Sequence, residues 1–153
     1  MNRIRKIMAA YDFSDYSKEA LEFAAELANE LKSDLMIVNV INQREVDAIL
    51  RTEMLGATIS DKFIKDNKKD RLESINEIAE EISAKQLPVE IKIKTGVPFR
   101  ELIQTVKDGG VDLVVMGRKG RSNLIGILFG TTAEKMFRHC PVPLLSLRTD
   151  MHR

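Results

Sequence analysis

The stretch VDLVVMGRKG at residues 111–120 joins an apolar run of strand length to a glycine-rich loop. The run Val111–Met116 predicts a β-strand buried on both of its faces. The loop extends from Gly117 to Gly130, and Thr131–Arg138 follows as a predicted helix. A buried strand, a glycine-rich loop and a helix in this order are typical of an α/β domain with a parallel sheet.

The same alternation of strands and helices continues on both sides of this stretch. Asn42–Gly56 is the exception, because its pattern is unclear and is compatible with a short helix around Val46–Leu55. The other predicted strands are Ile4–Ala10, Leu35–Ile41, Val89–Lys94 and Pro141–Leu147, and the other predicted helices are Ser17–Lys32, Ser60–Lys85 and one that begins at Pro98 and ends at Gly109-Gly110. The resulting β-α-β-α-β-α-β-α-β order predicts a single α/β domain with helices on both faces of the sheet.

The long predicted helix over residues 60–85 has two kinds of surface. Apolar residues at helical spacing predict its buried stripe. The charged run Lys65–Arg71 is interpreted as a solvated face of the same helix. The stripe consists of Leu72, Ile75, Ala79 and Ile82.

Composition excludes several classes of protein. The chain has 153 residues, of which 44% are hydrophobic and 31% are charged, and its net charge is +1. These values exclude intrinsic disorder and argue against a nucleic-acid partner. The single cysteine, Cys140, excludes an intrachain disulfide and a cysteine-based metal site. Without an apolar run of transmembrane length or a signal-like segment, we expect no membrane partner and a cytoplasmic location.

Two loops carry the chemistry suited to a ligand site. They are Asp12–Ser17, after the first strand, and Gly117–Thr131, after the fourth. Glycines allow backbone N–H groups to approach phosphate oxygens, and a helix that begins at Gly130-Thr131 favours an anion. The second loop adds positive charge at Arg118, Lys119 and Arg121 and hydroxyl groups at Ser122 and Thr131. Its composition therefore predicts a phosphate-binding loop.

Each of these features also has a purely structural interpretation. Glycines occur in ordinary turns, and Thr131 with Glu134 would form a capping box at the start of the last helix. Asp12 could be a catalytic carboxylate, and its structural interpretation is a turn residue that caps the first helix. His139-Cys140 could suggest a nucleophile pair, but a helix end with a buried thiol explains it better. The Walker-type P-loop signature is absent.

The glycine loop resembles a known family. Gly117-x2-Gly120-x9-Gly130-Thr131 is similar to the nucleotide-binding signature of universal stress proteins, a pattern that chance gives in only about half a percent of chains this long. The resemblance covers the whole chain and implies one domain over residues 1–149, with a short tail at residues 150–153. Its other matching segments are 7–14, which ends in Asp12-Phe-Ser14, Val38-Asn-Val40, Gly96-x-Pro98, 112–117 and 140–145.

The resemblance implies a five-stranded parallel sheet in the order 3-2-1-4-5 and a bound adenine nucleotide. The ligand would be ATP or a relative, with a divalent ion such as Mg or Mn. Asp12 and the backbone of Ala10 would contact the adenosine, Val40 the adenine and Gly117 the ribose. Tyr11 and Arg118 are bulky at their positions, so either could alter base preference or affinity. The full set of implied binding residues is Ala10, Tyr11, Asp12, Val40, Gly117, Arg118, Lys119, Gly120, Arg121, Ser122, Asn123, Gly130, Thr131 and Thr132.

Three functions are compatible with this sequence. The first is a regulatory module whose ATP occupancy is read by an unidentified partner protein. The second is a slow ATP hydrolase, for which the cations would stabilise charge, although no clear base is present and no catalytic residue is assigned. The third is a nucleotide-free dimer that acts by interaction or as a chaperone. The apolar last strand at a sheet edge predicts a homodimer, as family members commonly pair there.

Overall fold

The computed structural model describes residues 3–53, 57–83, 87–120 and 129–148. Strands and helices alternate along these residues, with two consecutive helices between the second and third strands. The strands are β1 (Lys6–Ala10), β2 (Asp34–Asn42), β3 (Val89–Gly96), β4 (Leu113–Gly117) and β5 (Leu144–Leu147). The helices are α1 (Asp15–Leu31), α2 (Gln43–Glu53), α3 (Ala57–Ser83), α4 (Pro98–Gly109) and α5 (Thr131–His139).

The five strands form one sheet in the order β3-β2-β1-β4-β5. Every neighbouring pair is parallel, and Ile7 of β1 pairs with Leu35 of β2 on one side and with Leu113 of β4 on the other. The predicted α/β class, the strand order and the edge position of β3 are confirmed. The order reverses between β1 and β4, which is the place where ligands bind to open α/β sheets.

Alternating side chains build a core on each side of the sheet. We call the side covered by α1 and α3 the closed face; Ile7, Ala9, Leu35 and Ile37 lie there with Ala20, Leu21 and Ile75. We call the side covered by α4 and α5 the pocket face; Met8, Met36, Val38 and Val114 lie there with Leu102, Val106 and Met136. Because successive strand residues point to opposite faces, β1 and β2 contribute to both cores.

Local signals set the helix ends near the expected positions. Ser14 is the N-cap of α1, and its hydroxyl accepts a hydrogen bond from the backbone N–H of Ser17 at 3.1 Å. Pro98 lies in the first turn of α4, where its missing N–H costs nothing. Gly110 ends α4 in the left-handed conformation, with a φ of 64°. These local signals set where α1 begins and where α4 begins and ends.

Several boundaries and one packing expectation were wrong. β2 runs straight into α2, which begins at Gln43, before the residues expected to form a helix. The last strand is shorter than Pro141–Leu147, because prolines have no N–H to give to a ladder. In α3, Leu72 is 41% exposed, and Arg71 turns inward in its place.

Within the described ranges, no helix combines the length and the apolar character that crossing a bilayer needs.

Candidate nucleotide-binding site

A cavity of about 570 Å³ opens on the pocket face at the carboxyl ends of β1 and β4. Its size is within the range of small-molecule pockets. It brings together ten of the residues implied by the family resemblance: Ala10, Tyr11, Asp12, Val40, Gly117, Lys119, Gly120, Gly130, Thr131 and Thr132. The remaining lining residues are Ser17, Val38, Asn42, Arg44, Glu45, Val97, Pro98, Phe99, Leu102, Met116, Ala133 and Lys135.

Hydrogen bonds with the start of α1 fix the Asp12 carboxylate in the loop after β1. Asp12 Oδ1 accepts from the backbone N–H of Ser14 at 3.0 Å and from the Ser14 hydroxyl at 2.5 Å. The Ser17 hydroxyl accepts from the Asp12 N–H at 3.2 Å and donates to the Ser14 carbonyl at 3.0 Å. Ser14, rather than Asp12, is therefore the cap of α1. The structural interpretation of Asp12 as the capping residue was wrong.

The second carboxylate oxygen of Asp12 lies against Gly120. A Cβ atom added to Gly120 would stand 2.5 Å from Asp12 Oδ2, so the carboxylate or the loop would have to shift. Gly117 is under a similar constraint, because its added Cβ would lie 3.0 Å from backbone atoms of Tyr16. These two glycines let the loop after β4 lie directly on the loop after β1, so the two sequence motifs form one site.

Arg118 holds the two ends of the glycine loop together through its backbone. Its N–H donates to the Leu147 carbonyl at 3.1 Å, and its own carbonyl accepts from the Gly130 N–H at 3.0 Å. The side chain of Arg118 is not part of the cavity lining, and its buried Nε has no hydrogen-bond partner among the described residues. The sequence candidates Arg121, Ser122 and Asn123 lie outside the described residues.

Helix α5 begins at the cavity without a side-chain cap. Gly130 is its N-cap, and Thr131 and Thr132 are its first helical residues. The expected capping box of Thr131 with Glu134 is therefore wrong: Glu134 instead donates its backbone N–H to the Gly130 carbonyl at 2.9 Å and its side chain pairs with Arg138. The first N–H groups of a helix have no intrahelical partner, and at this position they favour an anion.

The floor of the cavity is apolar and belongs to the core of the pocket face. Ala10, Val38, Val40 and Met116 form it from β1, β2 and β4. Tyr11 follows Ala10 but packs its ring into the core of the closed face, where only 6% of the residue is exposed. The bulk of Tyr11 is thus directed away from this floor. Burial, and to a lesser extent the charge of Asp12, raises the pKa of Tyr11 above its usual value.

The sequence did not point to the outer wall of the cavity. Asn42 reaches it from the end of β2, and Arg44 and Glu45 reach it from the start of α2. All three belong to the segment to which no role could be given. Phe99 and Lys135 complete the wall from α4 and α5, with Lys135 Nζ 4.8 Å from the centroid of the Phe99 ring. The spacing of Lys135, four residues after Thr131, was the one available signal, since such residues share a helix face.

The lining combines features suited to an anionic ligand with an apolar part. The lining includes three basic side chains and two acidic ones: Arg44, Lys119 and Lys135, and Asp12 and Glu45. The basic groups and the start of α5 suit phosphate, while the valine floor suits a flat apolar ring. A carboxylate fixed between them can accept hydrogen bonds from hydroxyl groups. This arrangement makes the cavity a candidate nucleotide site on a doubly wound α/β fold.

Comparison with known proteins identifies the family. The model of the universal stress protein family matches residues 3–148, and this chain belongs to that family. Universal stress protein YxiE of Bacillus subtilis is 28% identical over 149 residues, which cover 94% of this chain and 98% of the relative. Universal stress protein MJ0531 of Methanocaldococcus jannaschii is also 28% identical, over 92% of this chain and 81% of its own length.

Solved structures share the fold. The protein MJ0577 of Methanocaldococcus jannaschii superimposes with a TM-score of 0.82 at 23% identity, over 97% of this chain and 99% of that one. A universal stress protein in complex with cAMP has a TM-score of 0.65 at 22% identity, over 97% and 100% of the two chains. A family member from Arabidopsis thaliana with AMP bound has a TM-score of 0.62 at 18% identity, over 96% and 94%.

Proposed function

We propose that this chain binds an adenine nucleotide, with ATP as the favoured ligand, and acts as a regulatory module of the stress response. Nucleotide occupancy would set its conformation or assembly, and a partner protein would read that state. Family membership supports the link to stress. The AMP-bound and cAMP-bound relatives support the choice of adenine.

The contact between Asp12 and Gly120 is the observation that carries this proposal. At this contact, a carboxylate held in place lies against the backbone of a glycine. The contact is at the carboxyl ends of β1 and β4, the two strands between which the strand order reverses. In the proposed complex, Asp12 and Ala10 contact the adenosine, Val40 packs on the adenine, and Gly117 borders the ribose. Gly120, Gly130, Thr131 and Thr132 hold the phosphates, with help from Lys119.

The phosphates themselves would supply most of the ligands for a divalent ion. Among the described residues, no three histidine, cysteine or acidic side chains cluster as a metal site. Mg²⁺ commonly binds through substrate phosphates, water and one or two carboxylates, and the Asp12 carboxylate lies against Gly120 of the glycine loop. The chain fits a metal–nucleotide complex in this limited sense, with Mg or Mn carried by the phosphates.

The contacts of the Asp12 carboxylate favour a binding role over hydrolysis. One carboxylate oxygen already accepts two hydrogen bonds from Ser14, and the other lies against the glycine loop. Those contacts suit a group that orients a ligand, whereas a general base needs access to a water molecule. Steady-state phosphate release with Mg-ATP distinguishes the two functions, because a binding module releases no phosphate over repeated turnovers.

A thermal melt with and without Mg-ATP tests the proposal. At about 100 times its dissociation constant, a ligand stabilises the folded state by roughly 2.7 kcal/mol. For a domain of this size, each kcal/mol raises the Tm by about 2–4 °C, so we expect a shift of roughly 5–11 °C. GTP at the same concentration is the control for base preference. Absence of a shift with ATP, ADP and AMP would contradict nucleotide binding.

A homodimer through β5 is the second part of the proposal. β5 is the edge of the sheet, and all four of its residues, Leu144–Leu147, remain partly exposed in the single chain. Pairing of two such edges would cover them. Sedimentation at micromolar concentration should give the mass of two chains, and a monomer would contradict this assembly. The cytoplasmic location also stays a prediction, which cell fractionation tests.

A further inference from the structure

Arg71 is the one member of the charged run Lys65–Arg71 whose side chain reaches the core of the closed face. It precedes the buried Ile75 by one helical turn, so both lie on the inner side of α3. Its Nη1 donates to Asn39 Oδ1 at 2.9 Å, and its Nε donates to Asn67 Oδ1 at 2.6 Å. A guanidinium group thus takes an inward position that the hydrophobic pattern had assigned to Leu72.

Asn39 connects this arginine to the backbone of the ligand loop. It belongs to β2, is only 1% exposed, and its Nδ2 donates to the Tyr11 carbonyl at 2.7 Å. The Tyr11 N–H donates to the Val38 carbonyl at 2.9 Å. Both backbone polar groups of Tyr11, the residue directly before Asp12, are therefore held by β2, and its carbonyl is held through the amide that Arg71 engages.

Phe13, directly after Asp12, contacts the same group. Its ring centroid lies 4.9 Å from that of Tyr11 and 5.9 Å from Cζ of Arg71. The backbone of Phe13 has a φ of 67°, a left-handed conformation that a bulky residue adopts only when its surroundings enforce it. Arg71 therefore supports Asp12 from both neighbours: through Asn39 to Tyr11, and directly at the ring of Phe13.

Removal of Arg71 would affect this arrangement more than an ordinary surface substitution. The Asn39 Oδ1 atom would lose its 2.9 Å bond inside the core, and a buried polar group without a partner is costly. Rotation of the amide to find another partner would in turn release the Tyr11 carbonyl. The left-handed Phe13 would lose the cation beside its ring at the same time, so the loop would be free to relax.

We propose that Arg71 and Asn39 are positioning residues for the nucleotide site. They act from the closed face, through the backbone of Tyr11 and the ring of Phe13, to hold the Asp12 carboxylate in its place against the ligand. This inference rests on the proposed nucleotide binding. It adds that affinity for the nucleoside part of the ligand depends on a residue of α3 that does not line the cavity.

The test compares Arg71→Met with Lys68→Met. Both variants remove one charge from α3, but the Lys68 side chain is exposed to solvent. The first measurement is amide hydrogen exchange of the ligand-free proteins over residues 12–17. We expect Arg71→Met to exchange about tenfold faster there and at an unchanged rate in β4, while Lys68→Met matches the wild type. Unchanged exchange at residues 12–17 would overturn the proposal whether or not nucleotide binds.

The second measurement is the dissociation constant for adenosine, AMP and ATP. Since Asp12 is assigned to the nucleoside, Arg71→Met should raise all three constants by a similar factor of roughly ten, equivalent to about 1.4 kcal/mol. A loss restricted to ATP, or no loss despite faster exchange, would overturn the positioning role. A wild type that binds none of the three ligands would refute the proposed function, and exchange would still decide whether Arg71 orders the loop.

A double variant separates positioning from a general loss of stability. If Arg71 acts through Asp12, adding Arg71→Met to Asp12→Asn should weaken adenosine binding little further, because coupled residues are not additive. Full additivity would overturn the proposal. Should Arg71→Met fail to fold, Arg71→Lys is judged by the same criteria, because lysine keeps the charge but cannot bond Asn39 and Asn67 with the same planar group.

Discussion

The two faces of the sheet differ most at the carboxyl end of β2. On the pocket face, Val38 and Val40 form the floor of an open cavity. On the closed face, Asn39 between them is buried and bonded to α3 and to the loop after β1. Because side chains alternate along a strand, three consecutive residues supply both a ligand surface and the support behind it.

The helices explain why one face is open and the other closed. α4 and α5 both begin at the cavity, so their first turns border it without covering it. On the closed face, the middle of α3 reaches β2 with Arg71, and Ile75 follows in the core. The comparison teaches that residues lining the cavity act on binding directly, whereas closed-face residues act on stability or, like Arg71, on binding through the loop after β1.

The largest expected effect is on the closed face. Ile75→Ala removes a side chain that is completely buried, so the free energy of unfolding should fall by about 2–5 kcal/mol. Leu72→Ala, on the same helix but 41% exposed, should change it by less than about 0.5 kcal/mol. Urea unfolding measures both. Equal losses would show that Leu72 is buried as fully as Ile75 and would contradict this packing of α3.

Gly120→Ala should produce the largest effect on the pocket face. The new Cβ would displace the Asp12 carboxylate, so we expect ATP binding to weaken about a hundredfold, equivalent to about 2.7 kcal/mol. The control is Gly109→Ala at the end of α4, where the added Cβ meets the flexible end of Met36 at 3.1 Å. Calorimetric titration with Mg-ATP compares the two. A Gly120→Ala protein with normal affinity would remove the main support for the proposed site.

Asp12→Asn should have a smaller effect on the same face. The amide keeps the size of the side chain but loses the charge that strengthens hydrogen bonds to a ribose or base, so affinity should fall roughly tenfold. Adenosine, AMP and ATP should be affected alike. Asp15→Asn is the matched control, since Asp15 is exposed in the first turn of α1. A loss seen with ATP alone would reassign Asp12 to the phosphates or their metal.

Tyr11→Phe gives the smallest effect, which is confined to alkaline pH. Burial keeps the Tyr11 phenol neutral and raises its pKa in the folded state above the usual value of 10.0. The folded state then holds a proton that the unfolded state loses, so stability falls as the pH rises from about 10 through the folded pKa. The slope is at most about 1.4 kcal/mol per pH unit. Chemical unfolding over that range should show that the free energy of unfolding declines less steeply with pH for Tyr11→Phe than for the wild type. Identical slopes would show that the Tyr11 phenol is exposed to solvent.

Much of the architecture could be predicted because short sequence patterns determine individual strands and helix ends. The apolar runs at 35–41 and 111–116 fixed two central strands, and Pro98 and Gly110 marked the ends of α4. The glycine spacing at 117–131 pointed to the cavity, because only a glycine fits where the two loops touch. Each of these features depends on a few neighbouring residues, so the sequence expresses it directly.

The position of Arg71 could not be predicted, since charge and helical spacing assigned it to the solvent. It turns inward because Asn39, remote in sequence, presents a buried amide oxygen that needs a partner. The start of α2 at the cavity and the direction of the Tyr11 ring are tertiary outcomes of the same kind. The sequence by itself determined the order of elements and the chemistry of the two loops. Tertiary structure alone decided which side chains face each other across the sheet, because that depends on contacts between distant segments.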